Sequence, residues 1–477
     1  MTTDLPPIDR LQPVFAAQQR AHLKNLTPDV AARRASLDRL AAMLDAHWSD
    51  MTAAVQRDFG VRNAFETELT ELMQAKGAIK EAKRSLPGWC RPKKRKLSIL
   101  EFPTASAWTF PQPVGVVGII VPWNFPIAMA VQPMIGALAA GNRVMVKMSE
   151  NSRNLAELLQ QISPKFFDQD EVAFFVDDGT GTIGPAFSAL PFNHIFFTGS
   201  ADTGRKVMAS AAANLTPVTL ELGGKSPAIV ADDYSIERAA ERILWSKMLN
   251  SGQICTSVDH VYVPTAKIDA FVRAAKAWVH KHIPDVNNGD FTSIIDDRSF
   301  ARLQDTIADA REHGAEIIEL YEGPAPTGET RVLPPKLVLN ANTTMRIMQR
   351  EIFGPVLPVI AYDDINAVVT EINSRPRPLA FYVFSDNRKL QDRLVRSTIS
   401  GGVGINEPVV QAGIHDLPFG GSGDSGMGHY HGHEGFLTFS KLRPVFRQGP
   451  VRALDFVLPP YRGRSAQVLS IIKKLGG

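Results

Sequence analysis

The stretch "PVGVVGIIVPWNFP", residues 113–126, decides the fold class that we expect. Its run of Val, Ile and Gly is typical of a strand that is buried on both faces. Pro126 stands where a helix can begin, and Gly141 marks the expected end of that helix. The apolar segment "RVMVKMS" (143–149) then predicts a second strand. A strand, a helix and another apolar strand in this order indicate a parallel sheet.

The same alternation continues along the chain to about residue 384. The first series continues with a helix at 152–163, strands "EVAFFVDD" (171–178), "HIFFTGS" (194–200) and "PVTLEL" (217–222), and a helix at 204–213. The second series has a strand in "SPAIVAD" (226–232), helices at 235–249 and 266–282, and strands near 336–339, 356–361 and 379–384. We therefore predict an α/β protein with two doubly wound parallel-sheet domains that meet near Gly223 and Gly224.

The remaining segments complete the expected division. Residues 10–87 have apolar residues at helical spacing and predict a helical cover. The first domain is therefore assigned to 1–87 and 107–222, and the second to 223–404. Residues 88–106 and 405–477 are glycine-rich or strand-like and are predicted to form a small β element for assembly, with a C-terminal tail.

Composition limits the classes of partner. The 52 basic and 49 acidic residues leave a net charge of +3, so no global field attracts nucleic acid, and "RPKKRK" (91–96) is interpreted as a solvated connector. The sequence has no uninterrupted apolar stretch of about 18 residues, so we predict no membrane span. The N-terminus does not resemble a secretory signal. Two cysteines, Cys90 and Cys255, fit a reducing compartment, and we expect a cytoplasmic protein.

Cys255 in "NSGQICTS" (250–257) is the candidate nucleophile. A lone cysteine is more often a small buried residue, but three other segments change that interpretation. Asn124 in "VPWNFP" and Glu221 in "LELGGKSP" each end a predicted strand, and "QREIFGPVLPV" supplies Glu351 and Phe353. Together these segments favour a functional role for Cys255.

Seven motifs occur in the order found in one family. They are "PWNFP", "KMSE", "FTGSADTG", "LELGGKSP", "GQIC", "EIFGPVLP" and "LPFGGSGDSGMG", within about 115–440. With them the chain resembles the NAD(P)-dependent aldehyde dehydrogenases, and in particular the class 3 branch that includes bacterial coniferyl-aldehyde dehydrogenases. The resemblance implies an aldehyde dehydrogenase-like fold with a small β oligomerisation element, and a homodimer.

The resemblance also implies the roles of the candidate residues. Cys255 attacks the aldehyde, the Asn124 side chain and the Cys255 backbone N–H hold the oxyanion, and Glu221 is the general base that hydrolyses the thioester. The cofactor is NAD, with NADP possible, and Glu150 favours NAD because a carboxylate repels a 2′-phosphate. The implied cofactor residues are Trp123, Lys147, Glu150, Gly184, Thr198, Gly199, Ser200, Gly204, Leu222, Glu351 and Phe353. One departure is Met148, where most relatives have Pro.

The substrate is expected to be a small-molecule aldehyde. By analogy the tunnel is lined by Phe125, Met129, Gln132, Ile254 and Thr256, which suits aromatic or medium-chain aldehydes. Two other reactions stay open: CoA-acylating aldehyde oxidation, which usually lacks a glutamate at position 221, and a cysteine esterase or hydrolase, which needs no dinucleotide. A purely binding protein is a third alternative.

Two further patterns match binding motifs in spacing but are not interpreted as binding sites. Gly179, Gly181 and Gly184 match G-x-G-x-x-G, with Asp202 about 20 positions on, but the resemblance puts the phosphate turn in "FTGSADTG" instead. His429, His431 and His433 form H-x-H-x-H, yet the implied mechanism uses no metal, so no metal site is predicted.

Overall fold

Five helices form the start of the described chain. The computed structural model describes residues 6–99, 101–328, 330–459 and 461–474, so the ends at 1–5 and 475–477 of the predicted divisions lie outside the described residues. The helices are α1 Pro7–Lys24, α2 Val30–Ala46, α3 Trp48–Phe59, α4 Ala64–Thr67 and α5 Met73–Trp89, with a π-helical turn at Glu68–Leu72. Leu37, Leu40 and Leu44 of α2 are buried, as its amphipathic spacing predicts.

Two strands separate these helices from the first large sheet. They are β1 Lys93–Arg95 and β2 Ser106–Pro113, and they pair antiparallel. The sheet that follows contains β3 Val116–Ile120, β4 Arg143–Lys147, β5 Val172–Phe175, β6 His194–Gly199 and β7 Val218–Leu222, with α6 Pro126–Ala140, α7 Arg153–Ile162, α8 Ile183–Ser188 and α9 Ala201–Ala212 between them. These strands are parallel, in the order β7, β6, β3, β4, β5. The order reverses between β3 and β6, where doubly wound sheets bind ligands.

The second large sheet begins after residues 223–226. Its strands are β8 Pro227–Val230, β9 His260–Pro264, β10 Glu316–Glu319, β11 Lys336–Leu339, β12 Val356–Tyr362, β13 Ala380–Phe384 and β14 Gly402–Ile405. Its helices are α10 Ile236–Met248, α11 Ile268–His282, α12 Asp297–Glu312, α13 Arg346–Gln349, α14 Ile365–Ser374 and α15 Arg388–Ser397. All pairings are parallel except β10 with β11, in the order β10, β11, β12, β9, β8, β13, β14. The predicted α/β class with two parallel-sheet domains is confirmed.

The C-terminal segment returns to the first half of the chain. It forms β15 Gly426–Met427, α16 Gly432–Thr438, β16 Ser440–Arg447 and α17 Arg464–Lys474. β15 pairs antiparallel with β7, and β16 pairs with β2 to complete a three-stranded sheet with β1. Short 3₁₀ turns lie at Glu150–Ser152, Ser163–Lys165, Leu249–Gly252, Thr265–Lys267, Val410–Gly413 and Ala453–Val457.

The structure places three segments differently from the predicted division. The division at residue 107 assigns β2 to the first domain, but β2 belongs to the three-stranded sheet because its long partner is β16. The last strand of the second sheet ends at Ile405, one residue beyond the predicted limit of 404. β15 lies in the first sheet, although it was predicted to lie outside both sheets. The differences at β2 and β15 arise from pairing between distant segments, which local patterns do not reveal.

We expect Gly426→Ala to destabilise the protein, because Gly426 has φ +145° and a Cβ there would lie 2.2 Å from the carbonyl oxygen of Leu220. Backbone strain of about 1–2 kcal/mol and overlap of about 1–3 kcal/mol predict a loss of roughly 2–5 kcal/mol. The thermal unfolding midpoint measures it. Gly179→Ala is the control, since Gly179 has φ +76° with no neighbouring atom within 4 Å, so only the strain acts there. Equal midpoints for the two variants would contradict the argument.

Candidate active site

A cavity of about 640 Å³ lies between the two large sheets. The first sheet contributes residues at the carboxyl ends of its strands: Asn124 follows β3, Thr198 is near the end of β6, and Glu221 is near the end of β7. The second sheet contributes Cys255 and Glu351, which precede β9 and β12 at their amino ends. The site therefore forms where the carboxyl edge of one sheet faces the amino edge of the other.

Most of the predicted site residues meet in this cavity. Its wall includes Trp123, Asn124, Thr198, Gly199, Ser200, Glu221, Leu222, Cys255, Glu351 and Phe353. The predicted tunnel residues Phe125, Met129, Gln132, Ile254 and Thr256 also line it. The sequence analysis missed a further group that contributes mostly apolar surface: Leu69, Trp245, Val410, Ile414, Phe419, Tyr430 and His431.

A strained turn presents Cys255 to the cavity. After α10 ends at Met248, Asn250 and Ser251 adopt φ values of 51° and 50°, and Gly252 follows with φ 72°. A Cβ at Gly252 would lie 2.4 Å from the carbonyl oxygen of Gly354, so glycine is required there. Non-glycine residues with positive φ persist where the surroundings hold them, and they cluster at functional sites.

The Cys255 thiol is protonated near neutral pH in this structure. Burial, followed by the nearby acidic groups of Glu351 and Glu221, raises its pKa to about 12. The backbone amide of Thr256 acts against them by hydrogen bonding to the sulfur. A positive charge in the cavity would favour the thiolate, which is the nucleophilic form.

Glu221 is a buried carboxyl group on the cavity wall. Only 2 % of its surface is exposed, and neither carboxyl oxygen finds a hydrogen-bond partner among the described residues. Burial raises its pKa well above the usual range. Gly426 of β15 is its cross-strand partner, so the returning C-terminal segment covers β7 at this point. An unpartnered carboxyl in a cavity is typical of a functional acid or base.

Asn124 is tied to the turn that precedes Cys255. Its Nδ2 donates to the carbonyl oxygen of Gln253 at 3.0 Å, and Nδ2 of Asn250 donates to the carbonyl oxygen of Asn124 at 3.1 Å. A side-chain amide carries two N–H groups, so the second N–H of Asn124 is free for another acceptor. The position of this donor is therefore fixed relative to Cys255.

Glu351 lies against backbone that only glycine allows. A Cβ at Gly223 would lie 2.2 Å from its Oε2, and the backbone amide of Gly224 donates to its carboxyl group. Burial, followed by the charge of Asp259, raises the pKa of Glu351 to about 8. Behind it, Nζ of Lys225 donates to Asp259 and to the carbonyl oxygen of Ile347. Lys225 stands in "LELGGKSP", so that motif contains one partner of this ion pair.

Thr198 and Ser200 lead into the start of helix α9. Ser200 is its N-cap, and its side chain accepts from the backbone N–H of Thr203 at 3.3 Å. The hydroxyl of Thr198 is buried without a partner in the part of the chain that the structure describes. Gly204 lets α9 pack closely, since a Cβ there would lie 2.7 Å from Cδ2 of Leu222. A helix N-terminus at this edge suits an anionic group.

The other predicted cofactor residues lie away from the cavity wall. Lys147 ends β4, and its Nζ forms an ion pair with Asp177, a partner that the sequence analysis missed. Glu150 is exposed at the start of a 3₁₀ turn. Gly184 is in the first turn of α8, and a Cβ there would meet no described atom within 4 Å. Their proposed contacts with a cofactor stay predictions.

The three histidines of the H-x-H-x-H pattern have different surroundings. His431 is buried beside the cavity and packs on Tyr430 and Phe419, with ring centroids 4.4 Å and 5.6 Å away, whereas His429 is exposed. His433 stacks on Phe436. Within the described ranges, no three His, Cys, Asp or Glu side chains are grouped so that they could hold a metal ion.

The described part of the chain also includes no helix that is long and apolar enough to cross a membrane.

Comparisons with known proteins agree with this geometry. The model of the aldehyde dehydrogenase family matches residues 12–445. A probable coniferyl aldehyde dehydrogenase of Pseudomonas aeruginosa is 45% identical, over 97% of this chain and 96% of that protein. A dimeric NADP-preferring aldehyde dehydrogenase of Canis lupus familiaris is 34% identical, over 91% and 94% of the two chains. The substrate-bound structure of Staphylococcus aureus AldH superimposes with a TM-score of 0.90 at 30% identity, and the match covers 97% and 99% of the chains. The chain belongs to the aldehyde dehydrogenase family.

Proposed function

We propose that this chain oxidises an aromatic aldehyde of the coniferaldehyde type to its carboxylic acid, with NAD as the preferred hydride acceptor. The main support is the cavity itself, whose wall combines largely apolar residues with Cys255, Asn124 and Glu221. Family membership supports aldehyde oxidation with NAD(P) in general. The specific aldehyde and the choice of NAD over NADP belong to the proposal.

The residues present fit a nicotinamide dinucleotide. The Thr198 hydroxyl, which has no partner among the described residues, and the N-terminus of α9 suit the pyrophosphate, and Glu351 suits a ribose hydroxyl. Phe353 and Trp123 pack edge to face, with ring centroids 5.4 Å apart, and form an apolar wall for the nicotinamide. When bound, the cofactor supplies a hydride acceptor. We assign cofactor binding to the first sheet with its helical cover.

The first half-reaction depends on Cys255 and Asn124. The thiolate form of Cys255 attacks the aldehyde carbon, the C=O π electrons move to the oxygen, and the thiohemiacetal oxygen carries the negative charge. The free N–H of the Asn124 side chain and the backbone N–H of Cys255 stabilise that charge, and donors fixed in advance do so at the lowest reorganisation cost. Loss of a hydride from the same carbon leaves a thioester on Cys255.

The second half-reaction depends on Glu221. Its carboxylate takes a proton from water, the water oxygen attacks the thioester carbon, and the Cys255 thiolate leaves. Because burial raises the pKa of Glu221, its basic form increases as pH rises, and hydrolysis should slow as pH falls. A protonated carboxyl at rest also avoids an unpaired charge in an apolar cavity.

The lining of the tunnel supports an aromatic substrate. Phe125, Met129, Trp245 and Phe419 give broad apolar and aromatic faces, and Gln132 adds one polar group. Aromatic side chains favour a flat ring by stacking and edge contacts. The coniferyl aldehyde named for the Pseudomonas aeruginosa relative has such a ring. A phosphorylated aldehyde finds no cation among these tunnel residues, and Arg302 on the cavity wall donates to the carbonyl oxygens of Glu351 and Ile352.

The rival reactions fit the site less well. A CoA-acylating enzyme has no need of the buried base at Glu221, and an esterase has no need of the Thr198 turn or Glu351.

We also propose a homodimer, because exposed Leu442 and Phe446 on the edge strand β16 offer apolar surface to a second copy. The two free thiols support our proposal of a cytoplasmic location.

Alkylation of Cys255 should accelerate steadily with pH in cofactor-free protein that carries Cys90→Ser. The thiolate fraction grows about tenfold per pH unit below the pKa, so the iodoacetamide rate should rise in that way from about pH 7 to 10. Mass spectrometry of the cysteine peptide measures it. Glu351→Gln should speed alkylation only above about pH 8, where the wild-type carboxyl is ionised. A plateau below pH 9 would show that the thiol is already activated.

Glu221→Gln should separate the two half-reactions. Glutamine cannot accept the proton of water, so the variant should release one NADH per active site in a burst and then turn over at least about 100-fold more slowly. Stopped-flow absorbance measures both phases. Cys255→Ala, the control, should show no burst. Steady turnover at the wild-type rate would remove Glu221 from hydrolysis.

NADH formation across an aldehyde panel tests the proposed substrate and cofactor. We expect kcat/KM to fall from coniferaldehyde through benzaldehyde and hexanal to a phosphorylated aldehyde, because the lining is apolar. A phosphorylated aldehyde as the best substrate contradicts the proposal.

NAD should be preferred to NADP as the hydride acceptor, and Glu150→Gln should narrow that preference because it removes a negative charge. Acid formation without NADH, or only with CoA, favours the rival reactions.

A further inference from the structure

A buried ion pair lies directly behind the loop that carries Asn124. It joins Arg62, which precedes α4, to Glu71 in the π-helical turn, with Nη2 and Oε1 3.0 Å apart. Both side chains are fully shielded from solvent. The pair belongs to the helical cover and contributes no side chain to the proposed chemistry.

The pair contacts the Asn124 loop on both sides. Nη1 of Arg62 donates to the carbonyl oxygen of Asn124 at 3.0 Å. Oε2 of Glu71 accepts from the backbone N–H groups of Ile127 at 2.7 Å and Ala128 at 3.1 Å. These are free donors in the first turn of α6, so Glu71 caps the helix from another segment of the chain.

Aromatic rings restrict the Arg62 guanidinium further. Its Cζ lies 4.6 Å from the ring centroid of Phe59 and 5.1 Å from that of Phe125, which lines the tunnel. A planar guanidinium held by two rings and two hydrogen-bonding partners has little freedom to rotate. A second buried carboxyl group, Glu66, also faces Arg62 and accepts from the Thr292 hydroxyl at 2.9 Å.

Stability alone does not account for such a cluster. Removing a guanidinium and two carboxyl groups from water is costly, and apolar residues of similar volume often replace buried ion pairs without loss of stability. What apolar residues cannot supply is a donor to the Asn124 carbonyl and an acceptor for the α6 amides. The contacts therefore serve the geometry of one loop.

We propose that Arg62 and Glu71 are positioning residues that set the place of the Asn124 oxyanion donor. The inference rests on the proposed role of Asn124 in aldehyde oxidation. Together with the contacts of Asn124 to Gln253 and Asn250, the pair fixes the loop from the side opposite Cys255. A displacement of the donor lowers the rate of hydride release without changing aldehyde binding.

A double-mutant cycle tests the proposal. The variants are Arg62→Lys, Asn124→Ala and both together, and the readouts are the rate of the NADH burst, the KM for coniferaldehyde and the thermal midpoint. The matched control is Arg33→Lys, because buried Arg33 donates to the carbonyl oxygen of Ala139 at the opposite end of α6. Glu71→Gln is a second variant, which retains a side-chain oxygen for the α6 amides but loses the charge.

Asn124→Ala should slow the burst by about 10²–10³-fold, as loss of one oxyanion donor does. Arg62→Lys should slow it roughly tenfold with an unchanged KM, and should add less than twofold in the Asn124→Ala background. Arg33→Lys should leave the rate unchanged while its thermal midpoint falls comparably. If Arg62→Lys does not fold, Glu71→Gln takes its place in the cycle with the same expectation.

Two results overturn the proposal alone. One is a wild-type burst rate in Arg62→Lys or its replacement while Asn124→Ala is impaired, and the other is a slowing that persists in full without Asn124. A normal rate in Asn124→Ala overturns the proposed role of Asn124 as well, so the two failures are distinguishable.

Discussion

The hydrogen bonds between Asn124 and the turn at 250–253 join the two halves of the site. Asn124 follows a strand of the first sheet, and Gln253 precedes a strand of the second, so no backbone pairing connects them. Gln253 is itself held by its side chain, which donates to Ser293 and accepts from the backbone N–H of Ile295. A shift of about 1 Å between reacting groups is enough to lower a rate severely. These hydrogen bonds therefore affect the reaction rate more than their contribution to the stability of the fold suggests.

The ionisable groups of the cavity favour their neutral forms in this structure. Burial raises the pKa values of the Cys255 thiol and of the Glu221 and Glu351 carboxyl groups. Burial in a cavity that excludes water penalises charge, and for Glu351 the charge of Asp259 adds to the rise in pKa. The acid–base chemistry and the aromatic substrate that we propose therefore both depend on the exclusion of water from this cavity. Polar replacements in the tunnel would change both.

The sequence predicted the parts of the fold that depend on local pattern. The strands of both large sheets follow from apolar runs, and the predicted bounds of the strand at 336–339 agree with the structure. What local pattern did not reveal is pairing and charge compensation over long separations. β2 pairs with β16 more than 300 residues away, and Asp177, Arg62 and Glu71 have no motif that links them to their partners. Motifs that combine several site residues, such as "LELGGKSP", carried most of the information about the cavity.

The G-x-G-x-x-G spacing at 179–184 shows why a motif needs its topological context. The glycines follow β5, which is the edge strand of the first sheet, whereas "FTGSADTG" follows β6 beside β3, where the strand order reverses. Only at that reversal do adjacent connections leave on opposite faces and open a crevice for a ligand. Gly179 and Gly181 have φ values of 76° and 74°, so a tight turn accounts for both. In this turn the N–H of Gly179 donates to Asp177, which forms an ion pair with Lys147. Spacing therefore identifies a turn, and strand order decides whether a phosphate has a place there.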